Sequence, residues 1–112
     1  MLDESEFQEK AEALLELFAD EIERKDEDML IDADLLQGVL TLELESGHEY
    51  VISKHGVSKQ IWLSSPLSGG LHYDYNAAED SWELTKDGSR LDELLAEELL
   101  KLTSITFNFI GE

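Results

Sequence analysis

The sequence predicts an α+β fold, a two-layer α/β sandwich in which two helices pack on one face of an antiparallel sheet of about six or seven strands. Two segments have apolar residues at helical spacing, and the segments between them alternate apolar and polar residues. The predicted strands are joined by short turns, which connect antiparallel neighbours. A chain of 112 residues can bury one core, so we expect residues 1–112 to form a single domain.

The first predicted helix covers residues 3–25. Ser5 and Gln8 have the spacing of a capping box near its start. The apolar residues at helical spacing form one stripe: Phe7, Ala11, Leu14, Leu15, Phe18 and Ile22. Acidic residues recur at the same spacing on the opposite side: Glu9, Glu12, Glu16, Asp20, Glu23 and Glu27. We therefore expect one buried face and one strongly negative face.

Six strands are predicted after an acidic turn at residues 26–28, and they cover residues 29–36, 39–45, 48–54, 59–66, 71–75 and 81–85. A second helix follows, with Ser89 as its predicted cap because Asp92 stands at capping-box distance. Its buried stripe consists of Leu91, Leu94, Leu95, Leu99 and Leu102. Residues 105–109 alternate apolar and polar and are predicted to be a last strand.

The fourth predicted strand contains a tryptophan on the water-facing side of the sheet. Ile61 and Leu63 share one face, and Gln60, Trp62 and Ser64 share the other. Because tryptophan is enriched among the residues that dominate protein interfaces, an exposed Trp62 indicates a binding surface. The alternative is that another part of the chain covers the ring.

The net charge is −19, from 27 acids and 8 bases. Residues 1–34 alone hold 14 acids and 3 bases. A surface of this charge repels nucleic acid and anionic membranes and attracts cations and basic proteins. The absence of cysteine excludes disulfides, thiolate metal sites and a cysteine nucleophile. We see no leader peptide at the acidic start and no apolar run long enough for a membrane span.

The acidic residues continue from the first helix through the turn to the outer side of the first strand. Carboxylates are hard ligands that favour cations such as Ca²⁺, Mn²⁺, Fe²⁺ and Fe³⁺. We expect weak, exposed sites in which two or three carboxylates share a hydrated ion. The alternative is a solvated face with no ligand role.

No catalytic arrangement is visible in the sequence. His48, His55 and His72 lie on separate elements without metal-ligand spacing, and there is no G-x-S-x-G motif. We therefore expect a binding protein rather than an enzyme. A ferroxidase or iron-storage activity of the acidic carboxylates is the alternative function, and an acidic adaptor that needs no metal is a third.

With these features the chain resembles the frataxin family, which includes the bacterial CyaY proteins. The resemblance covers nearly the whole length. Its most specific part is Lys59-Gln60-Ile61-Trp62-Leu63-Ser64-Ser65-Pro66 followed by Ser68-Gly69. The other matching parts are the acidic first helix, Ile31-Asp32-Ala33-Asp34, Gly38-Val39-Leu40-Thr41, Tyr73-Asp74, Trp82, Asp87-Gly88 and residues 91–101.

The resemblance implies iron binding and a role in iron–sulfur cluster assembly, through contact with a cysteine desulfurase and its scaffold protein. The metal ligands that match by position are Asp20, Glu23, Asp26, Asp28, Asp32 and Asp34. Glu27 lies among them in the acidic turn and completes the candidate set. The matching partner-binding residues are Trp62 and the adjacent Gln60. His72 stands where mitochondrial members carry an arginine, and it is the third candidate of this surface.

We expect iron as Fe²⁺ or Fe³⁺, which other divalent cations can replace. The expected form is a monomer that can oligomerise with iron. The expected location is the bacterial cytoplasm, with the mitochondrial matrix as the alternative.

Overall fold

The computed structural model describes residues 3–109, which form two helices and six strands. The elements follow in the order α1 (Glu4–Lys25), β1 (Ile31–Leu36), β2 (Val39–Leu44), β3 (Glu49–His55), β4 (Gln60–Ser65), β5 (Gly69–Asn76), β6 (Ser81–Leu84) and α2 (Leu91–Thr103). The strands form one antiparallel sheet in the order β1-β2-β3-β4-β5-β6. The predicted two-layer α+β fold is therefore confirmed. Within the described residues, neither helix is long and apolar enough to cross a membrane.

The hydrophobic core lies between the helices and one face of the sheet. The predicted stripe of α1 is buried except for Leu14, which is partly buried. In α2, Leu91, Leu95 and Leu99 are fully buried, and Leu94 and Leu102 are partly buried. Each strand contributes alternate side chains from its inner face, which leaves the outer face of the sheet in water.

Both predicted helix caps are wrong. Asp3 caps α1, where its carboxylate accepts from Glu6 N at 2.8 Å, and the Glu6 side chain completes the capping box. α2 begins after Arg90, without a side-chain cap, and the Ser89 hydroxyl donates to Asp87 at 2.7 Å. In a chain this rich in acids, several pairs satisfy the capping spacing, so the spacing alone does not locate the helix start.

The predicted strand at residues 105–109 is also wrong. This segment has no regular secondary structure, yet Phe107 and Phe109 are buried. Phe109 packs edge-on against Phe18 of α1, with ring centroids 4.8 Å apart. Glu21, buried on α1, accepts from the Asn108 backbone N–H at 2.8 Å and also from Arg24. The segment packs against α1 and does not form a further strand of the sheet.

Candidate metal-binding ridge and docking face

Seven carboxylates run from the C-terminal half of α1 through the turn to β1, and we call them the acidic ridge: Asp20, Glu23, Asp26, Glu27, Asp28, Asp32 and Asp34. Six of the seven side chains are exposed. β1 begins at Ile31, two residues later than predicted, because Met29 has a positive φ of 55° and ends the turn. Since Ile31 and Ala33 point inward, Asp32 and Asp34 point to the outer face of the sheet.

Asp26 differs from the rest of the acidic ridge because it is buried. Its two carboxylate oxygens accept from the backbone N–H of Leu30 at 2.9 Å and of Ile31 at 2.8 Å. These bonds tie the end of α1 to the start of β1. Asp26 therefore has a structural role that the sequence pattern did not indicate, and it is the least accessible of the predicted metal ligands.

The acidic ridge is not neutralised by basic side chains. Five ion pairs form within residues 3–109, and none includes an acidic ridge residue. Arg24 lies nearby on α1 but pairs with Glu21. Among the same residues, no three His, Asp or Glu side chains are grouped so that they could enclose a metal ion. An ion on this surface would therefore be held by few carboxylates and would keep much of its hydration shell.

Glu43 and Glu49, which are not among the predicted metal ligands, extend this negative surface across the sheet. Asp32 of β1 stands opposite Glu43 of β2, and Glu43 stands opposite Glu49 of β3. All three side chains are exposed. Like charges directly opposite each other destabilise a sheet, so a cation that bridged this row would relieve repulsion. The alternation in β2 points Glu43 outward, but only the strand register places it beside Asp32.

The predicted docking residues lie on the outer face, at the centre of the sheet. Trp62 of β4 stands between Ser53 of β3 and His72 of β5. The Trp62 indole N–H donates to Gln60 at 2.9 Å, and the Gln60 amide donates to Asp74 at 3.1 Å. The structure thus brings the three predicted partner-binding residues Gln60, Trp62 and His72 together on one surface.

The Trp62 ring is less open than its sequence pattern predicts, because it is stacked between two histidine rings. The His55 centroid lies 3.7 Å from the Trp62 centroid and the His72 centroid lies 4.3 Å from it, with interplanar angles of 9° and 12°. Trp62 is partly buried as a result. Sequence alternation gave the face, but the role of His55 depends on the register of β3 and β4.

The side chains around this stack are uncharged and lie between outward carboxylates, with Asp34 and Glu43 on one side and Asp74 on the other. We call this region the central window and define it by the outward residues between the acidic rows: Val39, Thr41, Val51, Ser53, His55, Gln60, Trp62, Ser64, Gly70 and His72. In a chain with 27 acids and 8 bases, a neutral region of this extent is unexpected for a surface that serves only solubility. Depletion of charge and a central aromatic ring are typical of interface cores.

A buried carboxylate of α2 holds the loop that follows the Trp62 strand. Glu98 accepts from Tyr50 at 2.8 Å, from Ser65 at 2.5 Å and from the Ser68 hydroxyl. The Ser65 hydroxyl in turn accepts from Ser68 N at 2.9 Å. Burial, with Glu98 beside it, raises the pKa of the Tyr50 hydroxyl well above its ordinary value. The loop after β4 is therefore fixed through the core from the opposite layer.

Comparison with known proteins agrees with this architecture. The family model for a frataxin-like domain matches residues 1–105. The chain belongs to the frataxin-like family. It is 38% identical over 101 residues to the mitochondrial frataxin homolog of Saccharomyces cerevisiae. This match covers 88% of this chain but only 57% of the yeast protein. It is also 32% identical to the iron-sulfur cluster assembly protein CyaY of Pseudomonas fluorescens, over 90% of this chain and 96% of that protein.

Solved structures of frataxin-like proteins have the same fold. Frataxin from Psychromonas ingrahamii superposes with a TM-score of 0.86 at 28% identity, over 98% of this chain and 100% of the other. Trimeric frataxin from Saccharomyces cerevisiae complexed with ferrous iron superposes with a TM-score of 0.69 at 34% identity, over 93% of this chain and 88% of that one. The ferrous iron belongs to the yeast structure.

Proposed function

We propose that this protein binds iron on the acidic ridge and acts in iron–sulfur cluster assembly, where it regulates or supplies a cysteine desulfurase and its scaffold protein. The observation that carries the proposal is the row of six exposed carboxylates from α1 to β1 that lack an ion-pair partner within residues 3–109. Family membership and the role of the bacterial relative as an iron-sulfur cluster assembly protein support the assignment of the process.

The metal chemistry follows from the donor set. Carboxylates are the only ligands of the acidic ridge, so it favours hard or borderline cations and discriminates weakly among them. The negative field attracts a cation before any specific contact forms, and it also attracts basic partner surfaces over about 8 Å at physiological salt. Ferrous iron in the yeast frataxin structure supports iron as the physiological ion.

The partner surface is the central window with Trp62 at its middle. A half-covered indole among uncharged side chains can be desolvated at low cost, and it supplies the large aromatic contact area that dominates many interfaces. Asp32 and Asp34 of the acidic ridge lie on the same outer face of the sheet as the central window, so one partner complex can contact both. We propose a bacterial cytoplasmic or mitochondrial matrix protein that is monomeric and can assemble further with iron.

Titration with Fe²⁺ under nitrogen tests the metal site, with backbone amide NMR as the readout. Because Fe²⁺ is paramagnetic, we expect signals of residues near the acidic ridge to broaden first. In a variant with Asp28, Asp32 and Asp34 changed to Asn this selective broadening should be lost. The matched control changes Glu4, Glu79 and Glu93 to Gln, three exposed acids outside the acidic ridge, and should broaden like the natural protein.

Thermal unfolding gives an independent measure of the same binding. Free Fe²⁺ at a hundredfold excess over Kd adds about 2.7 kcal/mol to the free energy of unfolding, and sodium at matched ionic strength should add much less. Equal effects of Fe²⁺ and sodium, or equal broadening in the two triple variants, would show that the acidic ridge is only a solvated surface.

A further inference from the structure

The β1–β2 hairpin carries two exposed apolar side chains that neither the hydrophobic core nor the acidic ridge explains. Leu36 is 64% exposed and Val39 is 37% exposed, and the two stand opposite each other beside the turn. We propose that Leu36 and Val39 form a second anchor of the docking face, which the partner contacts together with Trp62. This inference rests on the proposed function, because the partner is the same desulfurase–scaffold complex.

The strand register places these two side chains in one line with Trp62. Val39 stands opposite Ser53, and Ser53 stands opposite Trp62. Directly opposed residues of a sheet share a face, so Leu36, Val39 and Trp62 all lie on the outer face. Neighbouring strands are about 4.8 Å apart, which separates Leu36 of β1 from Trp62 of β4 by about 14 Å. We call this line the cross-sheet row, and its members are Leu36, Val39, Ser53, Trp62 and His72.

The cross-sheet row runs through the uncharged part of the outer face and has carboxylates beyond it on both sides. Towards the start of β1, the adjacent row begins with Asp34 and continues with uncharged residues: Thr41, Val51, Ser64 and Gly70. The row after that is acidic and consists of Asp32, Glu43 and Glu49. On the other side of the cross-sheet row, Asp74 stands opposite Glu83. One face therefore offers apolar contacts at its centre and negative charge at its borders.

Charge complementarity indicates which surface covers this row. The acidic borders and the net charge of −19 repel an acidic protein and also a second copy of this chain. A basic surface is attracted to the borders, and its apolar side chains are buried against the row. Such charges steer and orient docking, whereas the buried apolar anchors supply most of the affinity. We therefore expect the partner to present two apolar contacts about 14 Å apart, with lysine or arginine on either side.

The position of Leu36, rather than its exposure, distinguishes it from other apolar residues of the surface. A single exposed leucine is normal in a soluble protein. Leu100 is 45% exposed, but it belongs to α2, in the layer behind the sheet. Leu36 is in line with Trp62 on the outer face. Leu100 is therefore a matched control for Leu36.

Titration calorimetry with the desulfurase–scaffold complex tests the second anchor. We expect Leu36→Gln to weaken binding about tenfold, because its buried apolar contact is lost. Val39→Thr keeps the β-branched shape and replaces one methyl group by a hydroxyl, so it should weaken binding about threefold. Leu100→Gln should bind like the natural protein. Urea unfolding checks the fold, and Leu36→Gln should keep the midpoint of the natural protein because residue 36 is exposed.

Salt and a double variant separate the apolar anchor from the acidic borders. Raising the ionic strength from about 0.05 M to about 0.5 M screens exposed charges and should weaken binding of the natural protein. The affinity ratio between the natural protein and Leu36→Gln should stay constant over this range. Because Leu36 and Trp62 are about 14 Å apart, their effects should multiply in Leu36→Gln/Trp62→Ala.

The outcomes distinguish this inference from the proposed function. Unchanged affinity in Leu36→Gln, or an equal loss in Leu100→Gln, refutes the second anchor and leaves the contact through Trp62 intact. Self-association that Leu36→Gln abolishes without weakening the complex assigns the row to a second copy of the chain and also refutes the proposal. A natural protein that does not bind the complex at any salt concentration refutes the docking function itself.

Discussion

Asp26 and Asp28 are two carboxylates of the same turn with opposite surroundings, and their replacement by asparagine gives a sharp test of the structure. The Asp26 side chain accepts from Leu30 N and Ile31 N, whereas Asp28 is exposed. Asparagine at position 26 keeps one acceptor and places an NH₂ group against the second N–H. A hydrogen bond to a charged group contributes about 1.5 to 3 kcal/mol, so we expect Asp26→Asn to cost about 2 to 3 kcal/mol.

The measurement is urea unfolding followed by circular dichroism at pH 7 in chelator. With a slope m of about 1 to 3 kcal/mol per molar urea, the midpoint should fall by about 0.7 to 3 M without a change in m. Asp28→Asn removes the same charge from an exposed position, so its effect should stay within about 0.5 kcal/mol and lean towards stabilisation. Equal stability of the two variants would show that Asp26 does not join α1 to β1.

Two further predictions concern Glu21 and Trp62. Burial alone raises the pKa of Glu21, but the hydrogen bonds from the Asn108 N–H and Arg24 outweigh burial and leave that pKa lowered. The ionised Glu21 therefore stabilises the folded protein. This contribution is complete above the unfolded-state pKa of about 4.3 and is lost as the pH falls through the native pKa. In Glu21→Gln, the free energy of unfolding measured in urea should therefore fall less steeply between about pH 5 and pH 3. An unchanged dependence of this free energy on pH would contradict the stated role of Glu21. Trp62→Ala should lower the free energy of unfolding by about 1 to 2 kcal/mol and weaken binding to the desulfurase–scaffold complex at least tenfold. Trp82 is buried, so Trp82→Ala should cost about 3 to 5 kcal/mol in the same unfolding assay. Equal destabilisation by the two tryptophan variants would place Trp62 in the core.

Sequence periodicity predicted the layers of the fold because burial follows periodicity closely. The α1 stripe at every third or fourth residue and the alternation of Tyr50 and Ile52 both correspond to buried side chains. The same alternation misled at residues 105–109, where Phe107 and Phe109 are buried against α1 and no strand forms. Alternate burial indicates an extended backbone, but it does not supply a neighbouring strand.

The sequence pattern was enough to predict which face of the sheet carries the candidate site residues, but it could not predict which of them contact each other. Alternation places Trp62 and His72 on the outer face, but their neighbours depend on register, which brings His55 onto the indole. For the same reason, the sequence pattern did not predict that Glu43 stands opposite Asp32. Among 27 acids, the buried Asp26 has no sequence signature that separates it from exposed ones.

The hydrogen bond from the Asn108 backbone N–H to Glu21 joins residues 87 positions apart in the chain. During synthesis α1 therefore leaves the ribosome long before the segment that completes its surroundings exists. Contacts of such sequence separation form late and slow folding, because the intervening chain must be ordered first. Until then the Phe18 side of α1 has no aromatic partner from Phe109, so the incomplete chain exposes apolar helix surface that the finished protein buries.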